Sequence, residues 1–457
     1  MEKIESALNT LVEFIWGEFV LIPLLSLVGV YLTIGLRAVP WRKLPYAATL
    51  LWQRSPSDAP GEISPFQALM TALSATIGTG NIAGVATAIY FGGPGALFWM
   101  WIIALVGMAT KYSEALLAVK FRQVDRNGHF VGGPMYYIKN GLGVRWQWLA
   151  RLFAIFGMIA AFGIGNMVQS NSVADVLATT YDVPTLATGL IIALIAAIVI
   201  IGGVRRIADV AGRLVPLMAV GYLVAASTIL ILNYERVPGA FATIISSAFS
   251  GHAATGGFLG ASIWMAIRFG FARGIFSNEA GLGSAAIAHG AAKTNSPARQ
   301  GLVAMLGTFI DTIIVCTMTG LVLIVTDAWQ SEFQGASMSA FAFSSTLGET
   351  GGHIVAIGLA VFAFTTIIGW SYYGERCAAF LFGTSIISYY RAVWIGAIIV
   401  GAQNNLEVVW AFADVFNGLM AIPNLVALAL LSPIVFSETR QFLMNKSITA
   451  RTDTAND

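Results

Sequence analysis

Ser74-Ala75-Thr76-Ile77-Gly78-Thr79-Gly80-Asn81-Ile82-Ala83-Gly84 lies in the middle of an apolar segment long enough to cross a bilayer. Two glycines flanking a threonine and followed by asparagine make poor helix. A break there frees backbone N–H and C=O groups at a depth where no water reaches them. Such a backbone is tolerated only where protein buries it or where it lines a cavity that binds something. Broken helices at the membrane midplane are a device by which secondary transporters hold substrate and coupling ion.

The rest of the 457-residue chain fits that setting. It is 57% hydrophobic and 11% charged, with a mean hydropathy of +0.76, whereas soluble domains carry about 25% charged residues. The composition is that of an all-α polytopic membrane protein. Eleven apolar spans are expected, near 17–36, 65–91, 94–119, 148–170, 185–203, 209–232, 257–290, 299–326, 353–375, 386–402 and 406–435. The segment 257–290 exceeds the roughly 20 residues of a straight span and should be tilted, broken or extended beyond the bilayer. Basic residues gather in alternate loops: Arg37, Arg42, Lys43 and Arg54; Lys120, Arg122, Arg126, Lys139 and Arg145; Arg205, Arg206 and Arg213; Lys293 and Arg299; Arg440, Lys446 and Arg451. The intervening loops hold Lys3 and Arg236. The positive-inside rule then puts the N-terminus outside and the C-terminus in the cytoplasm. The first span lacks a basic leader and is expected to remain as a helix. Cys316 and Cys377 fall in or at the end of spans, so no disulfide is expected.

With the first span set aside, ten remain. The Gly-broken 65–91 leads them, and five spans later 257–290 carries a second glycine-rich, polar stretch, Phe269 to Ser284. Five is odd, so the second half enters the membrane in the opposite sense, the layout of a 5+5 inverted repeat. The organisation expected is 1–64 for the N-terminus, extra helix and cytoplasmic loop, 65–235 and 236–436 for the two repeats, and 437–457 for a cytoplasmic tail. Gly132-Gly133-Pro134-Met135-Tyr136-Tyr137-Ile138 should start a short interfacial helix whose aromatics suit the membrane boundary.

Gly78-Thr79-Gly80-Asn81-Ile82-Ala83-Gly84, Gly92-Gly93-Pro94-Gly95-Ala96, the Gly132–Ile138 stretch and Ser277-Asn278-Glu279-Ala280-Gly281-Leu282-Gly283-Ser284 together resemble the alanine/glycine:cation symporter family over nearly the whole chain. The resemblance implies a leucine-transporter-type fold with one extra N-terminal helix. It also implies sodium-coupled uptake of a small neutral amino acid, alanine or glycine, with glutamine carried by some members, across a bacterial or archaeal plasma membrane.

A zwitterionic substrate needs donors for its carboxylate and acceptors for its ammonium, and unwound helix ends supply both. Thr79, Gly80 and Asn81 are assigned to the carboxylate, with Gly78 permitting close backbone approach; a glycine packing notch is the alternative. For the ammonium, carbonyls near Gly270–Gly274 are expected, with the break placed near Phe271 and Gly274 in preference to Gly281. By resemblance, the hydroxyls of Thr365 and Thr366 face carbonyls around Ser74 and Ile77 to form the sodium site. The alternative for those threonines is a hydrogen bond to their own preceding turn. Trp370, one turn on, is read as a pocket wall or as core packing. Asn166 and Gln169 share a helix face, reaching either substrate or polar backbone.

Charges within spans are costly and so are usually paired or functional. Lys111 and Glu114, one turn apart, are expected to pair. Arg273 and Glu279 are candidates for a cytoplasmic gate. Asp311 is a candidate proton or ion site, the proton-coupled alternative to sodium. No metal cluster, nucleotide loop or nucleophile–base pair is legible, so no enzyme activity and no organic cofactor are expected. The partners expected are the amino acid, sodium and lipid, with no nucleic acid and no obligate protein partner.

Overall fold

The computed structural model describes residues 2–17, 19–53, 59–250, 262–403 and 406–453. Arg54 and the outer end of the expected 257–290 segment, 257–261, lie outside the described residues.

The chain is all-helical apart from a two-stranded hairpin, β1 (Gln123–Val124) and β2 (Phe130–Val131). An amphipathic α1 (Glu2–Ile15) precedes the first apolar helix, α2 (Leu21–Gly35), and two short helices, α3 (Val39–Arg42) and α4 (Leu44–Thr49), fill the loop after it. α5 (Pro65–Thr76) starts at a capping box in which the Ser64 hydroxyl accepts from Gln67 N–H and the Gln67 side chain accepts from Ser64 N–H, with Pro65 at the first helical position. It stops at Ile77, whose ψ of 94° is extended. After a π turn at Gly80–Gly84, α6 (Val85–Gly92) leaves at 55° to α5. α7 (Gly95–Lys120) follows, then α8 (Pro134–Tyr137) at the expected Gly133-Pro134 start.

α9 (Gln147–Phe162) and α10 (Val168–Tyr181) form one span interrupted by a π turn at Gly163–Met167. Next come α11 (Thr185–Ile200), α12 (Gly203–Leu232) and α13 (Val237–Ser250), the last filling what reads in sequence as an outer loop. The second broken span is α14 (Ile263–Asn278) with α15 (Ser284–Gly290). α16 (Pro297–Thr308) and α17 (Thr317–Val325) are joined through a π segment at Phe309–Cys316. α18 (Gly335–Leu347), α19 (Glu349–Phe382), α20 (Ile387–Gln403) and α21 (Leu406–Asp453) complete the chain. α21 runs on past 436, so the expected tail boundary is not a helix end.

Among the described residues, seven helical stretches are long and apolar enough to cross a bilayer, and the bent pair α5–α6 is an eighth. The bundle is arranged for an apolar solvent. Large apolar side chains such as Leu27, Ile34, Leu194 and Leu217 are exposed on its outside, while Thr79, Asn81, Lys111, Glu114 and Asp311 are buried inside. α19 packs on both α5 and α10, and α7 on α14 and α16, which brings the two broken spans into one interior.

The second break differs from expectation. α14 is continuous through Gly270, Phe271 and Gly274. Those two glycines are close-packing positions: a Cβ on Gly270 would stand 2.5 Å from the Ala96 carbonyl oxygen, and one on Gly274 2.9 Å from Ile103 Cγ2, both on α7. Phe271 is buried with its ring tilted against Trp99. The chain opens instead at Glu279–Gly283, where Glu279, Gly281 and Gly283 take φ of 57°, 94° and 78°. The two glycines occupy the left-handed region at no Cβ cost.

Candidate functional site

The first break faces three helices. The extended Ile77 and the following glycines leave α5 and α6 with open backbone, and side chains partly fill it. Gly78 N–H donates to Asn81 Oδ1 at 2.9 Å, and Thr79 N–H donates to Gln169 Oε1 at 3.3 Å. Gln169 is held in turn by its own amide donating to the Ile164 carbonyl. A Cβ on Gly78 would meet Thr366 Oγ1 at 2.4 Å, and one on Gly80 would meet Phe276 Cδ1 and Ser277 Cα at 3.2 Å. The break is thus in close contact with α10, α14 and α19. The Thr79 hydroxyl is buried without a hydrogen-bond partner among the described residues, an omission that costs about 1–3 kcal/mol unless something else satisfies it.

The contact of α5 with α19 carries an oxygen cluster. Thr366 Oγ1 lies 3.5 Å from the Ile77 carbonyl and 3.1 Å from the Phe362 carbonyl, to which Thr365 Oγ1 also donates at 2.8 Å. Ser74 lies beside Gly369, where an added Cβ would come 2.7 Å from Ser74 Oγ. Ser74, Ile77 and Thr366 therefore follow one line of contact between the two helices. The Phe362 carbonyl lies one turn back on α19, so both threonines make the hydrogen bond to their own preceding turn that the sequence offered as the alternative to a sodium site, and Thr366 alone of the two also reaches the Ile77 carbonyl. Thr365 Oγ1 also lies 3.5 Å from Met218 Sδ. Hydroxyl and carbonyl oxygens without carboxylates suit a hard monovalent cation.

On the far side of Asn81, its Nδ2 donates to Asp311 Oδ1 at 2.7 Å. The Ser277 and Thr312 hydroxyls donate to Asp311 Oδ2, each at 2.8 Å. Asp311 is therefore joined to the first break through Asn81 and to α14 through Ser277, a residue to which the sequence reading gave no role.

Several expected partnerships are rearranged. Glu114 does not pair with Lys111: its Oε1 accepts from Gly281 N–H at 3.0 Å, Gly283 N–H at 3.1 Å and Asn424 Nδ2 at 2.7 Å. Asn424 also donates to the Gly281 carbonyl and accepts from the Tyr137 hydroxyl. Lys111 Nζ is buried with no hydrogen-bond partner among the described residues. Glu279 is not paired with Arg273. It accepts from Trp370 Nε1 at 2.7 Å and from the Ser284 hydroxyl at 2.5 Å, so Trp370 ties α19 to the second break while its Cβ packs on Gly165. Arg273 instead pairs with Asp414 on α21 at 3.0 Å, with its guanidinium over the rings of Trp410 and Phe276. Asn166 goes to the Trp394 carbonyl on α20 rather than toward the break.

The opposite ends of the two broken spans are laced together. Ile63 and Ala292 form a parallel bridge, with Glu62 N–H on the Ala291 carbonyl at 2.8 Å and Lys293 N–H on the Ile63 carbonyl at 2.7 Å. Arg122 closes this seam by donating to the carbonyls of Pro60, Gly290, Ala292 and Thr294. In sequence Arg122 is one basic loop residue among several, and nothing local marks it as a clasp.

Comparison with known proteins agrees with this architecture. The chain is 51% identical over 445 residues to the sodium/alanine symporter AgcS of Methanococcus maripaludis, covering 96% of this chain and 97% of that one. It is 38% identical to a probable sodium/glutamine symporter, GlnT, of Bacillus subtilis, covering 95% and 90%. Among solved structures, MhsT in complex with L-phenylalanine superposes with a TM-score of 0.54 at 15% identity, covering 84% of this chain and 99% of that one. A manganese transporter of Eremococcus coleocola superposes with a TM-score of 0.54 at 14% identity, covering 85% and 83%. These neighbours carry the leucine-transporter-type fold. The chain is a multi-pass membrane transporter and not an enzyme. Its residues 1–456 match the sodium:alanine symporter family, to which it belongs.

Proposed function

We propose that the chain carries a small neutral amino acid, alanine or glycine, into the cell together with sodium, by alternating access. The observation that carries this reading is the opening of α5–α6 at Ile77–Gly80, with the Thr366 hydroxyl set over the Ile77 carbonyl. Sodium is placed among Ser74, Ile77, Thr365, Thr366 and the Phe362 carbonyl, where it would fasten the first break to α19. The substrate carboxylate is placed at Thr79, Gly80 and Asn81, where the Thr79 hydroxyl has no other partner among the described residues. The ammonium acceptors are reassigned from Phe271 and Gly274 to the C-terminal end of α14, whose last carbonyls lack helical partners.

The gates are reassigned likewise: Arg273 with Asp414 at one end, and the Arg122 clasp at the other. α2, α11 and α14 complete eleven spans in a 5+5 arrangement. The distribution of basic loops supports an outside N-terminus and a cytoplasmic C-terminus in a bacterial or archaeal plasma membrane. One sodium moving down a tenfold gradient supplies about 1.4 kcal/mol, and a potential of about 100 mV adds about 2.3. Together these sustain accumulation of several hundred-fold.

The test is uptake of labelled alanine into proteoliposomes under an inward sodium gradient and under an equal potassium one. Uptake above equilibrium in sodium alone, lost in Thr366→Val and weakened less in Thr365→Val, is expected. Equal uptake in both salts would overturn sodium coupling. Proton coupling is the second reading, favoured by the direct Asn81–Asp311 contact. It requires a proton gradient to drive uptake and Asp311→Asn to abolish that drive. Glutamine as the main substrate would appear as glutamine uptake exceeding that of alanine.

A further inference from the structure

A cavity of about 840 Å³ opens at the end of the bundle that bears the basic loops, between the β1–β2 hairpin, the first turns of α9 and the last turns of α19. Four cations line it, Arg126, Lys139, Arg151 and Arg376, against one carboxylate, Asp125. That carboxylate is already engaged. Its Oδ1 accepts from the Asn127 and His129 N–H groups and its Oδ2 from Arg376 at 3.2 Å. The side chains of Arg126, Lys139 and Arg151 make no hydrogen bond or ion pair among the described residues. Arg376 is 6% exposed and already paired, with Asp125 at 3.2 Å and with Glu375 at 2.8 Å, while its Nε is buried with no hydrogen-bond partner among the described residues.

The same cavity has a greasy side. Ile155 and Phe382 line it and are exposed, and Trp148, one turn before Arg151, stacks on Trp146 in the manner of an interfacial belt. Unpaired cations set beside exposed apolar surface at the bilayer edge match a phosphodiester with acyl chains attached, and basic pockets between membrane helices on this face bind anionic head groups. A free oxyanion would have no use for the apolar wall.

We propose that this cavity is a binding site for the phosphate of an anionic phospholipid from the leaflet on the basic side. The bound phosphate bridges the hairpin loop to α9 and α19. Because that loop also carries Arg122, the lipid steadies the clasp over the inner ends of the two broken spans. The inference rests on the chain being a membrane transporter and is independent of which substrate or ion it moves.

The experiment uses the full-length chain, purified and exposed to equal amounts of phosphatidylglycerol and phosphatidylcholine, with retained lipid counted by native mass spectrometry. Selective retention of phosphatidylglycerol is expected. It should fall by roughly a hundredfold in Arg126→Ala/Lys139→Ala/Arg151→Ala, at about fivefold per cation. The fall should be absent in Lys43→Ala/Arg206→Ala/Arg213→Ala, which removes equal charge elsewhere on the same face. Alanine uptake of the first triple variant in phosphatidylcholine vesicles should persist, which keeps this site's failure distinct from failure of the transport reading. Equal retention of the two lipids, or equal loss in the two triple variants, would overturn the site. Displacement of the lipid by millimolar inorganic phosphate would overturn the lipid as its occupant in favour of a free oxyanion.

Discussion

A single methyl group at Gly78 should separate the proposed sodium site from its second wall. Gly78 has no positive φ, so alanine is sterically permitted on the backbone. The new Cβ, however, would stand 2.4 Å from Thr366 Oγ1 and 3.2 Å from Gln169 Oε1, where ordinary contact begins near 3.4 Å. Relief requires about 1.0 Å of movement, the difference between 3.4 and 2.4 Å, either of α19 away from α5 or of the Thr366 hydroxyl out of the cluster. Either movement lengthens the Thr366–Ile77 approach that already stands at 3.5 Å. Overpacking of this kind costs about 1–3 kcal/mol. If that cost falls on the sodium-bound state, the half-saturating sodium concentration for alanine uptake rises by roughly five- to 150-fold. Gly84→Ala is the matched control, because its Cβ would meet nothing nearer than the Thr79 carbonyl at 3.9 Å. The assay is sodium-dependent initial uptake of labelled alanine by the two variants at equal reconstituted amounts, each checked for monodispersity. A Gly78→Ala protein with unchanged sodium dependence would refute the reasoning. So would a Gly84→Ala protein as impaired as Gly78→Ala.

Three further outcomes are expected. Glu114→Ala leaves the N–H groups of Gly281 and Gly283 and the Asn424 amide without their acceptor, and at about 1–3 kcal/mol for each orphaned donor the melting temperature should drop well below that of Glu114→Gln, which keeps a carbonyl there; equal melting of both variants and the native chain would count against the role given to Glu114. Arg273→Met and Asp414→Leu should each destabilise by about 3–5 kcal/mol through the stranded partner charge, with the double variant recovering most of the loss; additive losses in the thermal unfolding cycle would mean that the pair is not coupled. Arg122→Ala should loosen the seam between Ile63 and Ala292, which a Cys377→Ser background would report as faster alkylation of Cys316, since Cys316 lies within 3.4 Å of Asn81 and Ser277; an unchanged labelling rate would remove Arg122 from the inner closure.

Much of this was legible in the chain as written. Long apolar runs cross a bilayer because an unsatisfied backbone is intolerable in lipid, so hydropathy placed the long apolar helices, though not α13 and α18, which fill what reads in sequence as outer loops. The break at Gly78–Gly80 was legible for a local reason: two glycines flanking Thr79 and followed by Asn81 at mid-span make poor helix. The start of α5 was equally local, fixed by Ser64, Pro65 and Gln67 within four residues.

The second break was not local. Gly270-Phe271-Ala272-Arg273-Gly274 and Gly281-Leu282-Gly283 are alike as strings, and helix propensity does not rank them. α7 decides between them. It presses the Ala96 carbonyl and Ile103 against Gly270 and Gly274, so those glycines serve close packing within an intact helix. It also offers Glu114 to the freed N–H groups of Gly281 and Gly283, 167 and 169 residues away in sequence, so an open backbone there is satisfied. The charges follow the same logic. Arg273 and Glu279 are neighbours along the chain, but α14 brings Arg273 to Asp414 and the turn after it brings Glu279 to Trp370. Sequence alone determined that this protein lives in a bilayer and opens one helix at its centre, because burial of apolar surface and of backbone are local demands. Tertiary structure alone decided which second helix opens and which charges meet, because a freed N–H or a buried ion is stabilised by a partner that the fold delivers from far along the chain.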